Sequence, residues 1–463
     1  MYSFIICCLL LILSYFIYAK AIEKVVGIDE NRQTPLWRLE DGVDYTPMSR
    51  GKAILVHFLN IAGLGPIFGA IQGALFGPAA FLWIVFGTIF IGAVHDFFSG
   101  FLSLRNDGLT MPGIISKYLG TTAQKIIAVI TIVSGVLVAA TFANGSASLL
   151  SSLTSVPVVI WITVIFVYFL IATLFPVDKI IGRIYPIFGI LFIIMTALIL
   201  GSLITSPNFT IPELTTQGLY LSSKNIFPYL FVTIACGAIS GFHASQSPIV
   251  ARCMKNEKDA RPVFYGAMVL EGLATLIWAA AALAVFHGQP QLAVLFGATP
   301  AVGAHSIATM LLGPVGVTLV ILGIVVCPIT TGDTALRGSR ITIADELHMD
   351  QKKLISRVKL AVPLFVVSFA LTFVDFTIIW RYIAWVQLLS AVAILLAATV
   401  YLIHKNKPYF FTLLPAMACS IISIAYILQS PDGLSLPAMF SNVISVIATV
   451  ILTIIFLKKC KKL

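Results

Sequence analysis

The sequence predicts an all-α polytopic membrane protein of about 13 transmembrane helices. Three observations predict it: the scarcity of charge, the spacing of the apolar stretches, and the one-sided placement of Lys and Arg. Of 463 residues, 59% are apolar and only 10% charged, against roughly 25% charged in an ordinary soluble domain. Twenty-nine basic and 19 acidic side chains cannot clothe a soluble globule of this length. The same composition excludes a disordered chain, a coiled coil and a disulfide-rich secreted scaffold.

An apolar stretch of about twenty residues spans a bilayer as a helix. Such stretches fall at 2–19, 53–75, 79–104, 125–145, 155–175, 184–205, 225–248, 263–286, 308–334, 356–375, 378–403, 409–428 and 437–457. The first has no basic residue ahead of it and no small-x-small cleavage site after Tyr18, and Lys20 and Lys24 follow the apolar run. It reads as a retained helix with an outside N-terminus rather than a signal peptide. Alternating the loops from that start puts every Lys and Arg on the inside except Lys224 and Arg381. A wrong helix count would scramble this split. The formal charge of +10 is therefore a cytoplasmic-face charge, and nucleic acid is not an expected partner.

The chain divides into an N-terminal helix (1–19), a cytoplasmic juxtamembrane segment (20–52), two five-helix units (53–205 and 225–403), two C-terminal helices (409–457) and a basic cytoplasmic tail (458–463). Segment 20–52 is the longest polar stretch, so the expected work is done inside the membrane. Seven cysteines lie mostly within apolar stretches and lack metal spacing; they read as packing residues. No metal site is expected.

The helix at 53–75 carries Gly63, Leu64, Gly65 and Pro66 near its middle. Five helices later, the helix at 225–248 carries Gly237, Ser240, Gly241 and His243, with Pro248 beyond. Gly weakens a helix and Pro removes a backbone donor. Broken backbone at membrane depth is tolerated only where it is packed in protein or lines a cavity. Two interrupted helices at matching places in two halves point to a transporter midplane site. Because the offset of five is odd, the halves are inverted. Simple close packing of glycines is the competing explanation, and Gly69 with Gly73 fits that description.

Ionisable side chains at membrane depth are functional candidates by default. Here they are His57, His95, Asp96, His243, Glu271 and Asp333. His57 precedes the first break by about a turn, and could bind substrate or donate to a nearby carbonyl. His95 and Asp96 could pair structurally or serve gating and proton passage. His243 follows the second break. Glu271 fits a proton carrier or a partner for His243 or Arg252. Thr330, Thr331 and Asp333 are hard oxygen donors that suit a small cation beside carbonyls freed at the first break. Their alternative is a helix C-terminus with back-bonding hydroxyls and an Asp333–Arg337 pair. Gly237 to Gly241 lacks the spacing of a serine nucleophile elbow, and no enzyme activity is expected.

Several segments together resemble the carbon starvation protein CstA family: Gly27 to Pro35, Asp41 to Pro47, His57-Phe58, Ala62 to Pro66, Gly92 to Phe97, Ser240 to His243, Leu270 to Gly272, and Asp333 with Arg337. The resemblance covers about the first 390 residues. It implies a bacterial inner-membrane uptake transporter for peptides or pyruvate, the latter proton-driven, linked to carbon starvation. Val56-His57 stands where the family often has two adjacent histidines.

The combined expectation is a LeuT-like 5+5 inverted repeat with one extra N-terminal helix and two extra C-terminal helices. It would act as a secondary active transporter importing small carboxylate-bearing nutrients. His57, Gly63, Leu64, Gly65, Pro66, Gly237, Ser240, Gly241 and His243 would bind substrate. Asp96, Glu271, Thr330, Thr331 and Asp333 would couple Na+ or H+, with no other cofactor. The partners are the small-molecule substrate and the lipid bilayer; oligomeric state is left open. A channel and a nutrient sensor are the alternatives.

Overall fold

A computed structural model describes residues 1–174, 181–214, 225–286, 300–431 and 433–460. Lys179, Lys224, Lys461 and Lys462, which enter the expected charge split, lie outside the described residues. Among the described residues, ten helices are long and apolar enough to cross a bilayer. Two bent helix pairs and the 17-residue apolar helix Val158–Leu174 occupy the remaining expected spans.

The chain begins with α1 (Tyr2–Phe16), which runs almost directly into α2 (Tyr18–Val26). The first helix thus continues past residue 19, until Gly27 closes it in a left-handed conformation. After the short α3 (Pro35–Leu39) comes α4 (Arg50–Ala62), bent by 53° against α5 (Gly65–Phe76). The next elements are α6 (Ala79–Arg105), α7 (Met111–Leu119), α8 (Thr121–Thr154), α9 (Val158–Leu174) and α10 (Ile181–Thr205). No span is expected over α7, whose nine residues are too few to cross a bilayer. In the second half, α11 (Ile226–Thr233), α12 (Ala235–Ala238) and α13 (His243–Ala251) form the other broken helix, bent by 55°. It is followed by α14 (Glu257–Val285), α15 (Pro300–Glu346), α16 (Leu354–Leu371) and α17 (Phe376–His404). The chain closes with α18 (Phe410–Gln429) and α19 (Ala438–Cys460).

One local expectation is corrected by α15. The helix was expected to end near Asp333. Instead it continues to Glu346, with one non-helical residue at Gly313. Thr330, Thr331 and Thr334 return their hydroxyls to carbonyls three or four residues back. Such bonds are compatible with an uninterrupted helix, so these residues sit mid-helix.

The helices sort into two packed bodies. Helices α8, α9, α15 and α16 share their own apolar cluster, built from residues such as Ala139, Phe166, Leu336 and Phe365. The broken helices α4–α5 and α11–α13 pack with α6 and α14 inside the larger core. Each body thus takes matching helices from both halves. At one end, the Met1 ammonium and Ser3 bond the Glu213 carboxylate, so the N-terminus lies on the face of the segment that follows α10. All seven cysteines are free thiols and six are buried, as packing residues should be.

Candidate functional site

The two breaks lie against each other. A Cβ added at Gly65 would sit 2.1 Å from the Cys236 carbonyl oxygen, and one at Gly237 would sit 2.8 Å from the Gly65 oxygen. Only glycine lets two backbones approach this closely. Gly63 has φ 50° and ψ −139°, a conformation that L side chains rarely adopt, and faces the Phe142 ring. Gly241 is pressed against the backbone of α17 at Gln387 and Ala391.

Breaking a helix frees carbonyls that must find donors when buried. The donors here come from neighbouring helices. Thr331 and Thr330 on α15 donate to the Leu59 carbonyl at 2.8 and 3.4 Å. On α14, Thr275 donates to Gly237 at 2.8 Å, and His95 Nε2 meets the Ile239 carbonyl at 3.0 Å. Ser240 donates to Gln387 Oε1 at 2.7 Å. His95 therefore supports the second break and does not pair with Asp96.

Asp96 instead joins His57. His57 Nε2 lies 2.8 Å from Asp96 Oδ2, and the Ser247 hydroxyl donates to Asp96 Oδ1. All three side chains are inaccessible to solvent. This bond ties the helix before the first break to α6 and to the helix after the second. His243 Nδ1 lies 3.0 Å from Met268 Sδ and 3.6 Å from Glu271 Oε2. Glu271 is fully buried, and neither of its oxygens has a hydrogen-bond partner among the described residues. The Thr88 hydroxyl, His243 Nε2, His57 Nδ1 and Asn60 Oδ1 lack partners in the same way. Buried polar atoms are ordinarily paired, so a cluster left open beside two broken helices has the donors and acceptors to take a guest.

The α15 residues form a second group. Asp333 accepts from the Tyr185 hydroxyl and from Tyr168 at 3.2 Å. Arg337 turns to Asp44 at 3.3 Å, so two tyrosines stand where the alternative reading had an Asp333–Arg337 pair. Thr330 and Thr331 are as close to the Leu59 carbonyl as a cation site would need, but their hydroxyls already donate to it.

The structure thus brings His57, Asp96, His243 and Glu271 close to Gly65, Gly237 and Ser240, and sets Thr330, Thr331 and Asp333 on the facing helix of the other body. Leu64 and Pro66 lie buried within the first break. The sequence reading did not find Ser247, Thr275, Gln387, Tyr168 or Tyr185. Hydroxyls and amides on apolar helices give no signal until the fold shows which carbonyl or carboxylate they meet.

Comparison with known proteins fits this geometry. The structure of MhsT in complex with L-phenylalanine aligns over 88% of this chain and 99% of its own, at TM-score 0.58 and 15% identity. A manganese transporter of Eremococcus coleocola aligns over 92% and 99%, at TM-score 0.53 and 13% identity. Both share the LeuT-like fold, and the likeness concerns the fold alone. In sequence, a membrane protein of Haemophilus influenzae is 41% identical over 341 residues, covering 62% of this chain and 92% of that one. The pyruvate/proton symporter BtsT of Escherichia coli is 27% identical, over 58% of this chain and 46% of its own. The peptide transporter CstA of the same organism is 26% identical, over 58% and 47%. The chain thus matches about half the length of these two transporters. The carbon starvation protein CstA family matches residues 1–164 and 144–310. With two thirds of its length matched in this way and the LeuT-like fold beneath it, the chain belongs to the carbon starvation protein CstA family.

Proposed function

We propose that the protein is a secondary active transporter of the bacterial cytoplasmic membrane. It imports a small carboxylate-bearing nutrient, a peptide or pyruvate, coupled to H+ or Na+. The observation that carries this reading is the crossing of the two broken helices at Gly65 and Gly237, beside a buried cluster with unpaired acceptors and donors. Half-helix N-termini at Gly65 and His243 offer backbone N–H groups and a positive dipole end, which suit a carboxylate. The names of the two Escherichia coli relatives support the substrate class. The basic residues orient the N-terminus outward and the C-terminus to the cytoplasm.

In this reading, transport rocks one body against the other about the site. The cytoplasmic side is held shut by Asp44, which is buried and paired with Arg337 at 3.3 Å and Arg340 at 3.5 Å on α15. Its segment is fastened to the other body, through Met48 N–H to the Cys253 carbonyl at 3.0 Å and Thr34 to Met254 at 2.6 Å. Inward opening must therefore break the Asp44 pairs.

Burial pushes the Asp44 carboxyl up, but Arg340, Arg337 and Arg252 outweigh it and hold it below its ordinary value of 3.8. The stabilisation is then fully present above that value and is lost only as pH falls through the lower folded value. In Asp44→Asn the two arginines lose their anion. A cytoplasmic-side maleimide is expected to label Cys253, as sole cysteine, at least roughly tenfold faster in this variant. The ratio of the two rates, in which the thiolate fraction cancels, should stay flat from about pH 8 to about pH 5. Equal labelling of the two proteins would remove Asp44 from the closure.

Uptake by proteoliposomes tests the function itself, with labelled dipeptides or pyruvate and an imposed proton or sodium gradient. Accumulation above equilibrium that needs one gradient is the expected result. Flux of both substrates that ignores either gradient would instead favour a channel.

A further inference from the structure

A second, separate site lies at the cytoplasmic end of the molecule, where α6, α7 and α17 all finish. There a cleft of about 350 Å³ is lined by Arg32, Arg105, Asn106, Lys117, Tyr118, Tyr401, His404 and Lys405. No carboxylate is among these lining residues. We propose that this cleft binds a phosphate group, either the headgroup of an anionic phospholipid or a free phosphorylated solute.

The argument starts from which of its cations are already engaged. Arg105 is neutralised: its Nε donates to Glu257 Oε2 at 2.7 Å and its guanidinium also reaches the Gly27 carbonyl at 2.8 Å. Arg32, Lys117 and Lys405 have no acidic partner among the described residues. Three uncompensated charges around one small cleft repel one another, and an anion relieves that repulsion.

Helix C-termini also attract cations, and three helices end here. Carbonyls in their last turns are, however, met by backbone amides. Asn106 and Gly108 donate to Ser103, Gly120 to Ser116, Lys405 to Tyr401, and Lys407 to Leu402. The Lys117 side chain bonds the Asn106 amide rather than a helix-end carbonyl.

The walls are built rather than incidental. Asn106 is buried and holds Lys117 Nζ through its Oδ1 at 2.6 Å, while its Nδ2 is anchored on the Leu102 carbonyl at 2.7 Å. Tyr118 and Tyr401 meet edge to face at 6.1 Å and close one side. Basic pockets between transmembrane helices on the cytoplasmic side suit phosphate headgroups, and a point-charge lysine held by an amide is a suitable phosphate contact.

The test uses the full chain in detergent at constant ionic strength. One arm titrates inorganic phosphate and the other titrates phosphatidylglycerol in mixed micelles, each followed by intrinsic tryptophan fluorescence and thermal shift. The probe that binds identifies the source. In either arm Lys117→Gln and Lys405→Gln are each expected to weaken binding about fivefold, with Lys117→Arg restoring it. Both lysines are exposed, so these variants should fold, and an unchanged melting temperature without ligand checks it. Failure of both probes to bind, or equal binding by wild type, Lys117→Gln and Lys405→Gln, overturns the proposal. The outcome is independent of the transport reading, because no residue of the cleft belongs to the midplane site.

Discussion

Gly65→Val is expected to abolish uptake and remove most of the folded protein, and Gly65→Ala to impair both steeply. The added Cβ would sit 2.1 Å from the Cys236 oxygen and 2.6 Å from its carbonyl carbon. A flexible side chain could swing aside, but these are backbone atoms of the other broken helix. Overpacking a core costs about 1–3 kcal/mol where side chains can adjust, and more where they cannot. Shifting Cys236 would also disturb the Thr275 bond to Gly237 and the Gly65–Gly237 approach, so both halves of the site move together. Gly201→Ala is the matched control, since a Cβ there meets nothing within 4 Å. Size-exclusion profiles and vesicle uptake, measured for all three variants, separate folding from transport. Normal uptake by Gly65→Ala would mean that the two helices do not need this approach.

The existence of the two breaks was legible in the sequence because Gly and Pro act locally. Gly63, Gly65, Pro66, Gly237 and Gly241 disturb a helix wherever it packs. The inversion was legible for the same kind of reason, since it follows from counting apolar stretches and placing Lys and Arg. The pairings were not legible. Nothing in the sequence tells that His57 meets Asp96, which lies 39 residues away, or that Ser247 completes that bond. The alternative of an Asp333–Arg337 pair is not what the structure shows, because helical spacing makes such a pair available without making it preferred. Tyr168 and Tyr185 hydroxyls already meet the Asp333 carboxylate, and Asp44 draws Arg337 away. Helix ends were the least legible. Back-bonding of the Thr330 and Thr331 hydroxyls fits a helix end and a helix interior equally well, and here they close on Cys327 and Leu59 in a helix that runs on to Glu346.

Glu271→Gln is expected to lower gradient-driven accumulation by ~10²-fold, the size of effect that follows removal of a group that carries a proton, while substrate exchange at equal gradients persists. Glu271 lies on α14 with no solvent access, and no donor meets either oxygen among the described residues. An ionised carboxylate in that position is costly. His243, at 3.6 Å, is the nearest ionisable partner, and its Nδ1 is shared with Met268 Sδ. Gln keeps the volume and removes the titratable proton, so thermal stability should hold. Asp333→Asn supplies the contrast. Asp333 has two tyrosine donors that an amide oxygen can still accept from, so that variant is expected to cost less than about tenfold. Equal, large losses in both variants would point to a general demand for negative charge in the bundle. Intact accumulation in Glu271→Gln would show that the coupling ion passes elsewhere, and the hydroxyl and carbonyl oxygens at Thr331 and Leu59 would then be the next group to test.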